Sequence, residues 1–387
     1  MKKYGSFFCI IFMAIAMNAQ VPKLGKDSLL DVACWNIEWF GNTTPGNGPS
    51  NKTVQFNNVL SVLAGSDIDV WGLEEVSDSL AWNNLTNALP AYDRVLTTYA
   101  WTQKTALLWK KSLFSFVSSR SILTDAAYNT DFAGRPPLEV VLRTNFKPVT
   151  DTIYFYVIHL KAYSDQTSYG RRKNAAGYIK TFLDANRKNK YTFVLGDWND
   201  DVNGSISAGQ PSPFTNFVND SNNYFFITKS LSDAGKSSFI SGGHMIDQTL
   251  LTTPMRNFYV SNSSRVLDTI TNFIANYASN NTSDHYPVMG FYSFNGSLTT
   301  GLKETVPDTE WKIFPNPSGS QFYFSGNEGI KDLEVINYLG EKMKCSFEWK
   351  GNKISLIKLD DNIPDGVYFV QIETSDKMIW SEISIQK

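Results

Sequence analysis

Four apolar runs of this chain are each followed directly by polar or charged side chains that can carry chemistry. The groups that follow them are Asn36 and Glu38, Glu74 and Glu75, His159, and Asp197 and Asn199. Central strands of a sheet end at a common edge, where a rigid backbone holds side chains at fixed separations. We therefore expect these residues to meet at one edge of a sheet core.

The body of the chain, residues 25 to 295, alternates strand-like runs with helical or loop segments. Apolar residues at i, i+3, i+4 and i+7 indicate an amphipathic helix at Phe56, Val59, Leu60 and Leu63. We expect a longer helix over 169–185 and strands over 29–35, 68–73, 105–109, 138–143, 153–158 and 192–195. Since some strands adjoin and others are bridged by helices, the pattern predicts an α/β fold with helices outside a largely buried sheet core.

Two later segments add Asp247 and the pair Asp284 and His285 to the candidate groups. Any one of these polar residues is better explained as a solvated loop or turn residue, but the whole set is not. The chain has only 3 histidines, so each is informative. His159 and His285 belong to the set, whereas His244, as a loop histidine, is more often only solvated.

The candidate side chains limit the chemistry. Glu75, Asp197, Asp284, Asn36 and Asn199 offer hard oxygen ligands that suit Mg²⁺ or Mn²⁺, with Ca²⁺ as a structural alternative. Imidazoles beside such an ion donate hydrogen bonds to phosphate oxygens, and a buried aspartate next to one raises its pKa. These are the parts for in-line attack of water on a phosphoester. Acyl transfer is disfavoured because the chain has no Gly-x-Ser-x-Gly motif and no cysteine beside a histidine.

Seven motifs, in this order along the chain, resemble those of the endonuclease/exonuclease/phosphatase superfamily, to which deoxyribonuclease I belongs. The motifs are Trp35-Asn36-Ile37-Glu38, Leu73-Glu74-Glu75-Val76, Gly134-Arg135-Pro136-Pro137, Ile158-His159-Leu160-Lys161, Gly196-Asp197-Trp198-Asn199, Ile246-Asp247 and Ser283-Asp284-His285-Tyr286-Pro287-Val288. The resemblance implies a four-layer α/β sandwich, in which two facing β-sheets are flanked by helices. It also implies a divalent-metal-dependent phosphodiesterase or phosphatase.

The resemblance implies a metal site built on Glu75 as the principal ligand, with Asn36 and Asp284 completing or supporting the shell. One departure is Glu74, where the family more often has glutamine. Whether Glu74 adds a negative charge near the metal is left open by the sequence.

The resemblance also implies the catalytic roles. Asp197 would orient and deprotonate the attacking water while Asn199 holds it and the phosphate. His285, supported by Asp247, would stabilise the transition state, and His159 would approach the phosphate from the other side, where assistance to the leaving oxygen is one role left open. No acid is evident to pair with His159, because the stretch 97–104 contains none.

Three basic residues are candidates for binding substrate phosphate. The resemblance implies that Arg135 contacts phosphate. Lys161 and Arg171 lie near His159 in the sequence, where an ordinary solvated helix face and a phosphate contact are equally good explanations.

The ends of the chain indicate export. Residues 1–19 carry Lys2 and Lys3, an apolar run too short to span a bilayer and a small residue at Ala19, which predicts a signal peptide. We expect a catalytic domain over 20–295, a Gly/Ser/Thr-rich linker over 296–307 and a small β-sandwich over 308–387.

The final domain resembles the C-terminal sorting domain of the bacterial type IX secretion system. The residues that carry this resemblance are Phe314-Pro315-Asn316-Pro317, Asn337-Tyr338-Leu339-Gly340 and Pro364-Asp365-Gly366-Val367-Tyr368. It implies handling by that machinery and a product that is released or held at the outer cell surface. The alternative is a carbohydrate-binding sandwich.

The leading hypothesis is an exported monomeric nuclease that cuts DNA or RNA with low sequence preference. The formal charge of −2 excludes a generally basic nucleic-acid coat but permits a locally basic groove. The alternatives are a phosphatase or sphingomyelinase-like phosphodiesterase, and a surface binding protein that retains the fold without catalysis.

Overall fold

The computed structural model describes residues 21–144, 152–277, 281–294, 312–326, 329–337, 341–351, 353–375 and 378–386. The expected signal peptide and linker lie outside these residues. The chain forms two compact units, Met1–Leu298 and Thr299–Lys387.

The first unit contains strands β1 to β12 and helices α1 to α7 among its described residues. The strands are β1 (Leu30–Phe40), β2 (Val70–Val76), β3 (Tyr92–Leu96), β4 (Lys104–Lys110), β5 (Phe114–Ser121), β6 (Leu138–Thr144), β7 (Thr152–His159), β8 (Tyr191–Asp197), β9 (Tyr224–Phe226), β10 (Asp247–Thr252), β11 (Arg265–Val266) and β12 (Val288–Tyr292). The helices are α1 (Lys52–Gly65), α2 (Ser79–Asn87), α3 (Ala126–Asn129), α4 (Gln166–Asn186), α5 (Thr215–Val218), α6 (Lys229–Asp233) and α7 (Thr253–Arg256), with a 3₁₀ turn at Asp268–Asn272.

These strands form two mixed six-stranded sheets that pack face to face. Their spatial orders are β11-β12-β1-β2-β4-β3 and β5-β6-β7-β8-β10-β9. One buried apolar cluster lies between the sheets and includes Val32 and Leu107 from the first and Phe155 and Leu195 from the second. The predicted α/β core of two facing sheets is confirmed.

Helices cover the outer face of each sheet. Val59 and Leu63 of α1 pack in a second cluster on the first sheet, and Ile179 and Leu183 of α4 pack in a third cluster on the second sheet. Both α1 and α4 begin at a side-chain cap. The Asn51 side chain accepts from the Val54 amide, and the Asp165 side chain accepts from the Ser168 amide. The four layers are therefore helix, sheet, sheet and helix.

The structure differs from the sequence expectation in that β3, β5, β9, β10, β11 and β12 were not predicted and β1 is longer than predicted. Strand β5 was not predicted because it is an edge strand whose residues are mostly exposed, so it has no apolar run. Strand β1 continues past the expected end at residue 35 to Phe40. Its pairing with β2 is interrupted between Asn36 and Phe40, where Glu38 and Trp39 have φ angles of 43° and 47°.

The second unit consists of two four-stranded antiparallel sheets. Its strands are β13 (Lys312–Phe314), β14 (Gln321–Ser325), β15 (Asp332–Asn337), β16 (Lys342–Met343), β17 (Cys345–Gly351), β18 (Ile354–Leu359), β19 (Gly366–Glu373) and β20 (Met378–Ile385). The orders are β13-β14-β18-β17 and β16-β15-β19-β20. Phe322, Val335, Ile357 and Val370 belong to the core between them, which confirms the predicted β-sandwich.

Gly72 lies at a close contact between the two large sheets. A Cβ atom at this position would lie 2.3 Å from Leu195 Cδ1 of the facing sheet. We predict that Gly72→Val lowers the free energy of unfolding by about 1–3 kcal/mol, because the added methyl groups overfill a packed core. Chemical denaturation with fluorescence detection measures this change.

Gly177 of α4 is the matched control, because a Cβ there meets nothing within 4 Å. Gly177→Ala should raise the free energy of unfolding by about 0.5–1 kcal/mol. An equal change in the free energy of unfolding for both variants would contradict the close packing of the two sheets.

Candidate active site

The predicted polar groups meet where β1 and β2 of one sheet face β7, β8 and β10 of the other. His159 ends β7 opposite Asp197, which ends the parallel strand β8. Asp247 begins β10 opposite Asp197 on its other side. From the facing sheet, Asn36 Nδ2 donates to Glu75 Oε1 at 3.2 Å and to Asp197 Oδ2 at 3.0 Å. One amide group thus joins the two sheets within the site.

His285 forms a close pair with Asp247. Its Nδ1 lies 2.7 Å from Asp247 Oδ2, and both side chains are buried. Burial opposes a charge on the imidazole, but the carboxylates of Asp247 and Asp284 outweigh it and raise the pKa of His285 well above its ordinary value. His285 is therefore an imidazolium that donates from Nδ1 to Asp247.

The backbone around His285 is held by buried donors. Trp35 Nε1 and Tyr277 Oη donate to the His285 carbonyl at 3.1 and 2.7 Å. Ser283 Oγ accepts from the His285 amide at 3.0 Å and donates to the Asn36 carbonyl at 2.6 Å. These contacts fix the orientation of the imidazole relative to Asn36.

Asp197 is buried at the centre of the site. Its Oδ1 accepts from the Asn199 amide at 2.8 Å, and its Oδ2 accepts from Asn36. Burial raises the pKa of Asp197 to about 7, a rise that His285 opposes and Asp247 supports. A carboxylate with a pKa near neutrality is suited to general-base catalysis.

His159 differs from His285 in its surroundings. Its Nε2 lies 3.5 Å from Asp197 Oδ2 and 3.7 Å from Glu75 Oε1, whereas its buried Nδ1 has no hydrogen-bond partner among the described residues. This agrees with the missing acid noted in the sequence. Burial and the positive charges of Arg135, His285 and Lys161 lower the pKa of His159 well below its ordinary value. The imidazole is neutral.

Three carboxylates, those of Glu38, Glu75 and Asp284, lie near one another, and His285 Nε2 lies 3.8 Å from Asp284 Oδ1. Glu75 Oε2 accepts from the Trp39 amide at 2.9 Å. The Asp284 side chain is 43% exposed. Burial and the charges of Asp284 and Glu75 raise the pKa of Glu38 to about 7. Mutual repulsion of this kind is what a bound cation relieves.

The donor set fits a hard divalent cation. The described part of the chain has no cluster of three or more His, Cys, Asp or Glu side chains placed to hold a metal ion. Mg²⁺, however, is commonly held by one or two carboxylates together with water and substrate phosphate. Glu75, Asp284 and the amide oxygen of Asn36, which accepts from the Glu38 amide at 3.0 Å, are donors of this chemical type.

Glu74 is buried between the sheets. Neither of its carboxyl oxygens has a hydrogen-bond partner among the described residues. Burial, with the nearby Asp247 and Asp197, raises the pKa of Glu74 well above its ordinary value. The protonated carboxyl is uncharged, as a glutamine would be, so the extra charge left open from the sequence is absent.

The basic residues lie along a cleft of about 1160 Å³ that opens beside His159. Arg135 is buried and donates to the carbonyls of His159 at 3.1 Å and Leu160 at 2.7 Å. It therefore anchors the end of β7 while also lining the cleft. Lys161 and Arg171 line the same cleft. A second cavity of about 570 Å³ holds the site residues His159, Asp197 and His285 and is also lined by the exposed His244.

Several site residues escaped the sequence interpretation. Ser283 stands in the quoted Ser-Asp-His motif, which was the available signal. Glu38 was noted only as following a strand, and its approach to Asp284 depends on a left-handed backbone at Glu38 and Trp39 that no pattern indicates. Tyr277, which precedes His285 by 8 residues, belongs to none of the motifs and gave no signal.

Residues 33–285 match the family model described as the Endonuclease/Exonuclease/phosphatase family. The chain belongs to this family. Its members hydrolyse phosphoesters and generally use divalent metals, so the protein is a phosphoester hydrolase.

Two solved structures of TDP2 show the same fold. D. rerio TDP2 complexed with single-strand DNA product is 14% identical, with a TM-score of 0.51 over 69% of this chain and 100% of that one. A humanized D. rerio TDP2 is 14% identical, with a TM-score of 0.51 over 69% of this chain and 99% of that one. The human Nocturnin catalytic domain with bound sulfate is 16% identical, with a TM-score of 0.49 over 69% of this chain and 93% of that one. No curated protein sequence matches the chain.

Residues 312–386 match the model described as the secretion system C-terminal sorting domain. The protein is therefore exported by the type IX route, to the cell surface or beyond it. No helix in the described ranges has the length and apolar character needed to cross a membrane.

The pairing of His285 with Asp247 is open to direct measurement. Asp247→Asn should lower the pKa of His285 by about one pH unit or more, because the imidazolium loses its nearest opposite charge while its burial remains. With only 3 histidines in the chain, NMR can follow each imidazole. The exposed His244 serves as the internal control, and an unchanged titration of His285 would contradict the pairing.

Proposed function

We propose that the protein is a Mg²⁺- or Mn²⁺-dependent exported nuclease that hydrolyses DNA or RNA with low sequence preference. One observation carries this proposal. The cleft that opens beside His159 is lined by Arg135, Lys161 and Arg171, and Glu75 and Asp284 are the only carboxylates among its described lining residues. A positively charged groove beside a site that hydrolyses phosphoesters suits the phosphodiester backbone of a nucleic acid.

Glu75, Asn36 and Asp284 would hold the divalent ion. When bound, such an ion polarises phosphoryl oxygens and offsets developing negative charge. The protonated Glu74 adds no charge to this set.

Asp197 accepts the proton of the attacking water. Its Oδ1 and Oδ2 are already oriented by the Asn199 amide and Asn36 Nδ2 at 2.8 and 3.0 Å, so the carboxylate does not reorganise during the reaction. Asn199 is itself held, because its Nδ2 donates to the Leu160 carbonyl at 3.1 Å. We assign Asn199 to positioning the phosphate and the water beside Asp197.

The two histidines have different roles. The imidazolium of His285 presents Nε2, 4.0 Å from Asp197 Oδ2, toward the position of the phosphate and stabilises charge on the pentavalent transition state. The neutral His159 donates a hydrogen bond to a phosphate oxygen. Its lowered pKa argues against a role as the acid that protonates the leaving oxygen at neutral pH.

Asp197→Asn and His285→Ala should each lower the turnover of a DNA or RNA substrate by ~100-fold or more, because each removes a proton-transfer or charge-stabilising group. Circular dichroism should show an unchanged fold. Asp268→Asn, at an exposed residue of the first unit, is the matched control and should keep wild-type turnover. Near-normal activity of both site variants would show that the chemistry lies elsewhere.

The substrate class is tested by incubating the protein with plasmid DNA, RNA, sphingomyelin vesicles and a chromogenic phosphodiester, each with Mg²⁺ or with EDTA. We expect cleavage of nucleic acid in Mg²⁺ and none in EDTA. Intact nucleic acid alongside hydrolysis of another ester would refute the nuclease assignment.

A further inference from the structure

Two large aromatic side chains stand exposed at the cationic cleft. Trp101 is 50% and Tyr163 is 71% exposed, and both line the cleft that contains Arg135. They lie on different loops, one before β4 and one between β7 and α4. Exposed aromatic rings at a functional cleft indicate a ligand that covers them.

Tyr163 is held in place by buried polar contacts. Its backbone has a φ angle of 81°, which is unfavourable for a bulky residue. Arg172, which is buried and paired with Asp200 at 2.7 Å, donates to the Tyr163 carbonyl at 2.6 Å and to the Lys161 carbonyl at 2.9 Å. A backbone held in this way presents the ring outward without first having to become ordered.

Tyr163 is also paired with a cation. Lys161 Nζ lies 4.1 Å from the centre of the Tyr163 ring. An aromatic face and a positive charge are therefore combined at one place, as in sites that bind a base and its phosphate together.

Trp101 lies beside Arg135. Its ring packs next to Gly134, because a Cβ atom added to that glycine would lie 3.6 Å from Trp101 Cε3. The same loop contributes Gln103, whose Oε1 accepts from Arg135 Nη1 at 2.8 Å. The loop is thus tied to the residue that anchors the end of β7.

We propose that this cleft binds unpaired bases, so that the substrate is single-stranded nucleic acid. Trp101 and Tyr163 stack on bases while Lys161 and Arg171 contact the adjoining phosphates. The bases of a duplex are stacked on one another and cannot offer their faces to these rings. This inference rests on the proposed nuclease function and specifies its substrate.

The test compares three oligonucleotides of equal length: a single strand, the same strand in a duplex, and a single strand with abasic sugars. Binding is measured by fluorescence anisotropy in EDTA, and cleavage is measured in Mg²⁺. Wild-type protein should bind the base-containing single strand at least about tenfold more tightly than the duplex or the abasic strand. Trp101→Ala and Tyr163→Ala should each reduce this preference about tenfold, and Trp101→Phe should restore most of it.

Phe116, an exposed aromatic residue of β5 that does not line the cleft, gives the control variant Phe116→Ala, which should keep the wild-type preference. Equal binding and cleavage of base-containing and abasic strands would overturn the stacking inference but leave the nuclease function intact. Cleavage of none of the three strands would instead refute the proposed function. Loss of binding to sphingomyelin vesicles on Trp101→Ala, with no effect on single strands, would assign the rings to a lipid surface and overturn the inference.

Discussion

The side-chain amide of Asn36 is the contact on which the site depends, because it crosses the interface between the two sheets. It donates to Glu75 on its own sheet and to Asp197 on the facing sheet, at 3.2 and 3.0 Å. Each carboxylate is thereby held relative to the other, although they belong to different sheets. The Asn36 carbonyl accepts from Ser283, which in turn binds the His285 amide. Metal-binding and catalytic groups therefore share one hydrogen-bonded frame.

Burial determines the charge state of each group in this frame. A buried charge is costly unless it is paired, so unpaired groups take their neutral forms. His285 keeps its charge because Asp247 lies 2.7 Å from its Nδ1. Glu74 has no hydrogen-bond partner among the described residues, and His159 comes no nearer than 3.5 Å to Asp197 Oδ2, so burial favours the neutral form of both. The site thus contains two histidines with opposite protonation, which provides both a cation and a neutral donor for a phosphate group.

Much of this arrangement could be predicted from the sequence. The apolar runs before Asn36, Glu75, His159 and Asp197 indicated strand ends, and strand ends do meet at a common edge. The absence of an acid partner for His159 was also foreseeable, because the stretch where the family carries one lacks carboxylates. These inferences depend on periodicity and on residue type, which the sequence itself displays.

Other features depend on contacts between distant segments and could not be predicted. The neutral state of Glu74 follows from its burial between sheets, which its own motif does not indicate. Strand β5 is exposed at a sheet edge and has no apolar run. No sequence pattern singles out Trp101 and Tyr163, which loop geometry places at the cleft.

The central claim is that water attacks phosphorus at this sheet edge. It is tested most directly by cleaving a single-stranded DNA oligonucleotide with the protein in ¹⁸O-labelled water and Mg²⁺, followed by mass spectrometry of the products. The account predicts one ¹⁸O atom in each newly formed terminal phosphate. It also predicts that Asp197→Asn yields at most ~1% of the wild-type amount of product. An uncut strand, or cleavage that leaves the terminal phosphate unlabelled, would contradict it.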